Sequence, residues 1–269
     1  MSTTVLSSPT AMPDIQSSGD TRNIVLNKVG VKQLLHPILL EDADLPAQHT
    51  VAKFSMFVSL AANIRGTHMS RFVEILNETE TKIGVEHTPI LLRKILDRLE
   101  ASTAYYEASF PMFMTKIAPV SGVKSLMDYQ ITLSGKISAT ECINQITLVV
   151  PVTSLCPCSK QISKYGAHNQ RAEITLKVVT DGTLSIKALI QLVESHATCE
   201  LYGILKRSDE KWVTERAYDN PKFVEDIVRD IATDLKNLRS VLAYEVASEN
   251  FESIHNHSAY ALSASGQVI

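Results

Sequence analysis

An α+β fold is what this chain predicts: antiparallel strands with helices packed against one side of them. Three observations carry that reading. Segments that alternate apolar and polar residues recur along the chain, and helical stripes interrupt them in pairs. The order strand, strand, helix, helix, strand, strand then occurs twice, with a boundary near residues 134–140. The repeat is one of pattern and not of letters. It divides the chain into a tail at 1–22, a first unit at 23–137 and a second at 138–269. Eight strands in two such sheets leave open edges, which closing a barrel with other subunits would cover.

The elements follow in order. The tail, "MSTTVLSSPTAMPDIQSSGD", is rich in Ser, Thr and Pro and predicts disorder. It lacks the basic start and long apolar core of a signal peptide. "VGVKQLLHPILL" and "HTVAKFSMFVSLAANI" read as strands, and Ser70 opens a helix through "RFVEILNET". Thr88 and Pro89 are a good N-cap and first helical residue for "PILLRKILDRLEA". "YYEASFPMFMTKIAPV" and "DYQITLSGK" are the next strands; in the latter Tyr129, Ile131 and Leu133 share one face.

In the second unit "INQITLVVPV" is a strand that Pro157 ends near Val152. "AEITLKVV" puts Ile174, Leu176 and Val178 on one face, and "LSIKALIQLVESH" is a helix. Asn220 and Pro221 cap another helix, whose stripe is Val224, Ile227, Val228, Ile231 and Leu235. "SVLAYEVASENF" and "SAYALSAS" are the last strands.

Composition narrows the function classes. The chain has 269 residues, 45% hydrophobic and 20% charged, as expected of an ordinary globular protein. A net charge of -3 gives no electrostatic reason to expect nucleic acid or an anionic membrane. No apolar run approaches a membrane span. Four cysteines are too few for a disulfide scaffold, and a reducing cytoplasm is expected.

Chemistry concentrates in "SLCPCSKQISKYGAHNQR". Cys156 and Cys158 flank Pro157 in a segment read as a loop at a strand end, and His168 lies twelve residues beyond Cys156. A thiol and an imidazole together point to a metal, although a lone histidine is more often structural. From the residues alone either cysteine reaches a metal. A further ligand is offered by Asp209 or Glu210 in "KRSDEK", which also reads as a plain helix start. His255 and His257 in "SIHNHSAYA" share one side of an extended segment, or are surface histidines. Arg65, His68 and Arg71 in "RGTHMSRF" combine cations with a helix N-terminus, a phosphate-binding arrangement, though a basic surface turn reads the same.

Together "PVTSLCPCSKQISKYGAHNQR", "KRSDEKWVTERAYDNPKFVED", "RGTHMSRF" and "HNHSAYA" resemble the type IB GTP cyclohydrolases, over nearly all of the chain after the tail. The resemblance implies the tunnelling fold, two tandem ββααββ units per chain, in a homotetramer. It implies that GTP is opened at C8, that formate leaves and that 7,8-dihydroneopterin triphosphate forms for folate synthesis. Carried over, the metal ligands are Cys156, His168 and Glu210, with His255 beside them as a proton shuttle and Glu225 holding the guanine. The metal lowers the pKa of water from about 16 toward 7. A thiolate, imidazole and carboxylate set accepts zinc, manganese or iron. The rival of the same fold is the nitrile reductase of queuosine synthesis, which uses its cysteine as a nucleophile with NADPH. A catalytically silent purine or pterin binder is the reading from another class.

Overall fold

The computed structural model describes residues 16, 18–78 and 81–269. Its strands are β1 (Leu26–Asp42), β2 (Leu45–Leu60), β3 (Lys82–Ile83), β4 (Ala104–Ile117) and β5 (Lys124–Ile137), then β6 (Cys142–Leu155), β7 (Asn169–Thr180), β8 (Cys199–Glu200), β9 (Val241–Asn250) and β10 (Ala259–Ser265). Its helices are α1 (Met69–Asn77), α2 (Thr88–Leu99), α3 (Pro157–Ile162), α4 (Ile186–His196), α5 (Arg207–Asp219) and α6 (Val224–Asn237).

The expectation of two separate ββααββ sheets is overturned. The strands form one continuous ten-stranded sheet in the order β10-β9-β7-β6-β5-β4-β2-β1-β3, with β8 added beside β6. The reason lies at the expected boundary. Only residues 138–141 separate β5 from β6, and a connection that short keeps the two strands paired, from Ile137 opposite Cys142 to Gln130 opposite Val149. The second half also carries α3, β8 and α5, which a simple repeat does not contain.

Period-two alternation builds the sheet. On β7 Ala172, Ile174, Leu176 and Val178 are all fully buried, and on β6 Ile146, Leu148, Val150 and Val152 match them. The stripes of α2 (Leu92, Ile95), α4 (Leu189, Ile190, Val193) and α6 (Ile227, Val228, Ile231, Leu235) complete that core. Gly135 on β5 lets α2 approach: a Cβ there would meet Thr88 Cγ2 at 2.7 Å and Leu92 Cδ1 at 2.8 Å.

Three local expectations shift. β6 continues through Pro151 to Leu155, and Pro157 opens α3 with Cys156 as its N-cap. The last helix begins at Val224 with Phe223 as N-cap, so Asn220 ends α5. Thr88 is the first residue of α2, whose N-cap is His87. Of the expected tail, residues 1–15 and 17 lie outside the described residues. Gly19 bridges Ile64, and Asp20 N–H donates to the Asn63 carbonyl at 3.0 Å.

Candidate metal centre and active site

Cys156 and His168 flank the connection between two antiparallel neighbours, β6 and β7, whose register closes with Leu155 opposite Asn169. The Cys156 N–H donates to the His168 carbonyl at 3.2 Å. Two further contacts shape this corner. The Ser159 N–H donates to Cys156 Sγ at 3.4 Å, and the His168 N–H donates to Ser159 Oγ at 3.2 Å. Cys156 is half-buried, whereas Cys158 is exposed on α3.

The His168 ring is held from behind. Its Nδ1 lies 2.8 Å from Gln170 Oε1 and 3.2 Å from Ser253 Oγ, which leaves Nε2 as the nitrogen available to a cation. Gln170 Nε2 in turn donates to Glu252 at 2.9 Å. These contacts tie Glu252 and Ser253, in the loop at 251–258 that also carries His255, to Gln170 and His168. The rings of His255 and His257 stack at 5.1 Å, on one side as their spacing implies, although the segment is a series of bends and not a strand.

Glu210 is exposed near the start of α5. Val213 and Ala217 pack with Leu155 and Ala167, the residues just before Cys156 and His168. Glu210 stands three residues before Val213 and seven before Ala217, so it shares their helix face. Asp209, the alternative ligand, is spoken for. Fully buried, it accepts from the backbone N–H groups of Val120 and Ser121 at 2.8 Å and from Ser121 Oγ at 2.6 Å. The Lys206 N–H adds a fourth bond at 2.8 Å, the capping-box position of α5. Burial pushes the Asp209 carboxyl up, but these bonds outweigh it and hold the group well below the usual carboxylate range.

Glu225 is exposed in the first turn of α6, and the Lys222 N–H just ahead of it donates to the Leu155 carbonyl at 3.2 Å. Arg65, His68 and Arg71 are elsewhere. They follow β2, whose end aligns through Ala104 and Ile137 with the Cys142 end of β6. Cys156 follows the other end of β6, about 40 Å away at the usual strand rise. Arg71 is engaged there by the Arg98 carbonyl at 3.2 Å and by Glu100 at 3.8 Å, and His68 occupies the N-cap position of α1.

The donor atoms of Cys156, His168 and Glu210 do not all lie within 4.8 Å of one another; among the described residues the trio that does is Glu41, Glu86 and His87. That trio already holds a cation, because Lys82 Nζ sits 2.8 Å from Glu41 Oε1. The Glu86 side chain is 73% exposed, so its carboxylate is largely solvated. Of Cys156, His168 and Glu210, the imidazole is already oriented by its Nδ1 contacts. A cleft of 910 Å³ lined by Trp212, Arg216, Lys116, Glu194 and Cys199 opens on another face of α5 and contains none of the three.

A sequence profile described as type I GTP cyclohydrolase folE2 matches residues 12–261. The chain belongs to the type I GTP cyclohydrolase folE2 family. It is 58% identical over 258 residues to GTP cyclohydrolase FolE2 2 of Dechloromonas aromatica (strain RCB), covering 96% of each chain. It is 56% identical over 251 residues to GTP cyclohydrolase FolE2 of Thiobacillus denitrificans (strain ATCC 25259 / T1), covering 93% of each. A GTP cyclohydrolase of this kind converts GTP to dihydroneopterin triphosphate with release of formate in folate synthesis. Such enzymes generally depend on a divalent metal.

Among solved structures, the urate oxidase of Bacillus sp. TB-90 superposes with a TM-score of 0.51 at 7% identity, covering 90% of this chain and 100% of that one. A highly active mutant of the same enzyme gives 0.52 at 8% identity over the same shares. At such identity the likeness is one of fold alone. Among the described residues no helix is long and apolar enough to cross a membrane.

Proposed function

We propose that Cys156, His168 and Glu210 hold a divalent metal ion, zinc, manganese or iron, and that GTP is opened at C8 beside it. The observation that carries this is the corner itself: a thiol and an oriented imidazole joined by the Cys156 N–H to His168 carbonyl bond of 3.2 Å, in a GTP cyclohydrolase chain. A divalent ion there would supply a Lewis acid and a water acidified from about 16 toward 7. His255, on the loop tied to His168 through Ser253, gives and takes protons as the C8–N bonds break and formate leaves.

Glu225 reads the base. Guanine presents N1–H and the 2-amino group side by side, and one carboxylate accepts both. Adenine offers an acceptor at N1 and leaves the carboxylate unpaired, which such sites reject strongly. Its exposure in the first turn of α6 also fits a plain helix-dipole role. Glu225→Gln separates the two: it is expected to keep its metal and its fold and to lose about 10–100-fold in turnover of subsaturating GTP. Wild-type kcat/KM in that variant would remove Glu225 from base recognition.

Arg65, His68 and Arg71 take the triphosphate, contributed by another copy of the chain. The support is their place at the far end of the strands from Cys156, together with the open edge at β10, where Tyr260 and Leu262 are exposed. We infer a homo-oligomer, in its simplest form a tetramer, acting in the cytoplasm, where its four free cysteines stay reduced. The deciding experiment is removal and return of metal. Chelated protein is expected to stop releasing formate from GTP, and Zn²⁺, Mn²⁺ or Fe²⁺ to restore it. Full activity in metal-free protein, or in a sedimenting monomer, would overturn the corresponding part of this reading.

A further inference from the structure

We propose that Gln170 is a positioning residue of the metal centre: anchored by Glu252, its amide fixes His168 as the Nδ1–H tautomer and so presents the Nε2 lone pair to the cation. The proposal rests on the reading of His168 as a ligand. Its own argument is one of donors and acceptors. Gln170 is 8% exposed, in the inward phase of β7 that Ala172, Ile174 and Leu176 otherwise fill. Its Nε2 lies 2.9 Å from Glu252 Oε1. A carboxylate has no hydrogen to give, so the amide must turn its NH₂ toward Glu252. Its carbonyl oxygen then faces His168 Nδ1 at 2.8 Å and can only accept, so Nδ1 must carry the hydrogen. A neutral imidazole has one such hydrogen, and Nε2 is left as a lone pair.

The reversed amide is disfavoured by the same contacts. It would set two acceptors against each other at the 2.9 Å contact and leave the buried Gln170 oxygen without a donor there. Ser253 Oγ, 3.2 Å from Nδ1, accepts a share of the same hydrogen. Glu252 and Ser253 lie on the loop that carries His255. One chain of contacts, His168 to Gln170 to Glu252, therefore orients the imidazole and holds the proton-carrying loop against it. Outer partners of this kind govern metal affinity as well as geometry.

The test begins on metal-free protein labelled with ¹⁵N, at pH 8.5, where imidazoles are neutral. Long-range ¹H–¹⁵N spectra are expected to show His168 as the Nδ1–H tautomer in wild type and as the Nε2–H tautomer in Gln170→Leu. Equilibrium dialysis with Mn²⁺ is expected to show an affinity lower by about 10–100-fold in Gln170→Leu. Glu252→Gln, altered on the outer loop, guards against a Gln170 variant that fails to fold. It frees the Gln170 amide to turn and is expected to give a mixture of tautomers. A wild-type Nε2–H tautomer overturns the proposal by itself, as do an unchanged tautomer and unchanged Mn²⁺ affinity in the variants. His168→Ala that binds Mn²⁺ as tightly as wild type would instead remove the ligand assignment beneath it, and the positioning role with it.

Discussion

Cys156→Ser is expected to lose both metal and GTP cyclohydrolase activity, while Cys158→Ser keeps both. Two residues separate these thiols, and their surroundings set them apart. Cys156 follows β6 as the N-cap of α3, half-buried, with its N–H on the His168 carbonyl at 3.2 Å; Cys158 is exposed on α3. A serine hydroxyl stays protonated near neutral pH and replaces a soft thiolate poorly. Loss of an outer partner already costs about 10–100-fold in metal affinity, so loss of a ligand should cost at least that much. Metal content per chain and formate release are measured on both variants. Metal kept by Cys156→Ser and lost by Cys158→Ser would reverse the assignment.

Lys116→Met is expected to destabilise the protein by about 3–5 kcal/mol near pH 8, because it strands the buried Glu194 carboxylate. Lys116 Nζ donates to Glu194 at 2.7 Å, with side chains only 8% and 6% exposed, and it also pairs with Glu200. Tyr129 donates to Glu194 at 2.6 Å and Tyr202 to Glu200 at 2.8 Å, so the carboxylates are bridged by one cation and braced by two phenols. Burial raises the Glu194 carboxyl above its ordinary 4.5, and Lys116 opposes that rise. Without the lysine the folded-state pKa climbs further. A raised carboxyl favours the fold below its unfolded pKa and loses that advantage as pH rises through its folded value. The deficit of the variant should therefore be smaller at pH 5 than at pH 8. Urea titrations at both pH values test this, and Lys116→Met with Glu194→Gln should recover part of the loss. A deficit under about 1 kcal/mol at pH 8 would mean that the network is not buried in the working protein.

Both residues announce themselves in the sequence, in different ways. Cys156 does so by spacing: the connection between two adjacent antiparallel strands brings its own ends together, so Cys156 and His168 meet for purely local reasons. Lys116 does so by phase. On β4 the inward positions run Ala104, Tyr106, Ala108, Phe110, Met112, Met114 and then Lys116, a charge where the pattern demands an apolar side chain. Gln170 breaks the phase of β7 in the same way, and Glu194 sits on the buried stripe of α4. An inward polar residue must find partners, and its presence is readable from alternation alone. Which partners it finds is not.

What the sequence determined by itself is what depends on neighbours along the chain. Period two and period 3.6 placed the strands and the stripes of α2, α4 and α6, because burying one face is a local demand. The short 138–141 connection is equally local, and it favours pairing of β5 with β6 over a break between two units. Only the tertiary structure decided that the sheet is continuous, since strand pairing is a choice among distant segments that alternation does not rank. It alone assigned Asp209 to the 118–123 turn and left Glu210 exposed on the helix face of Val213 and Ala217, because adjacent helical residues look identical until a helix packs. It also placed Arg65, His68 and Arg71 at the far end of the strands from Cys156. A strand of fourteen residues carries its two ends about 40 Å apart, and no motif records which end a side chain belongs to.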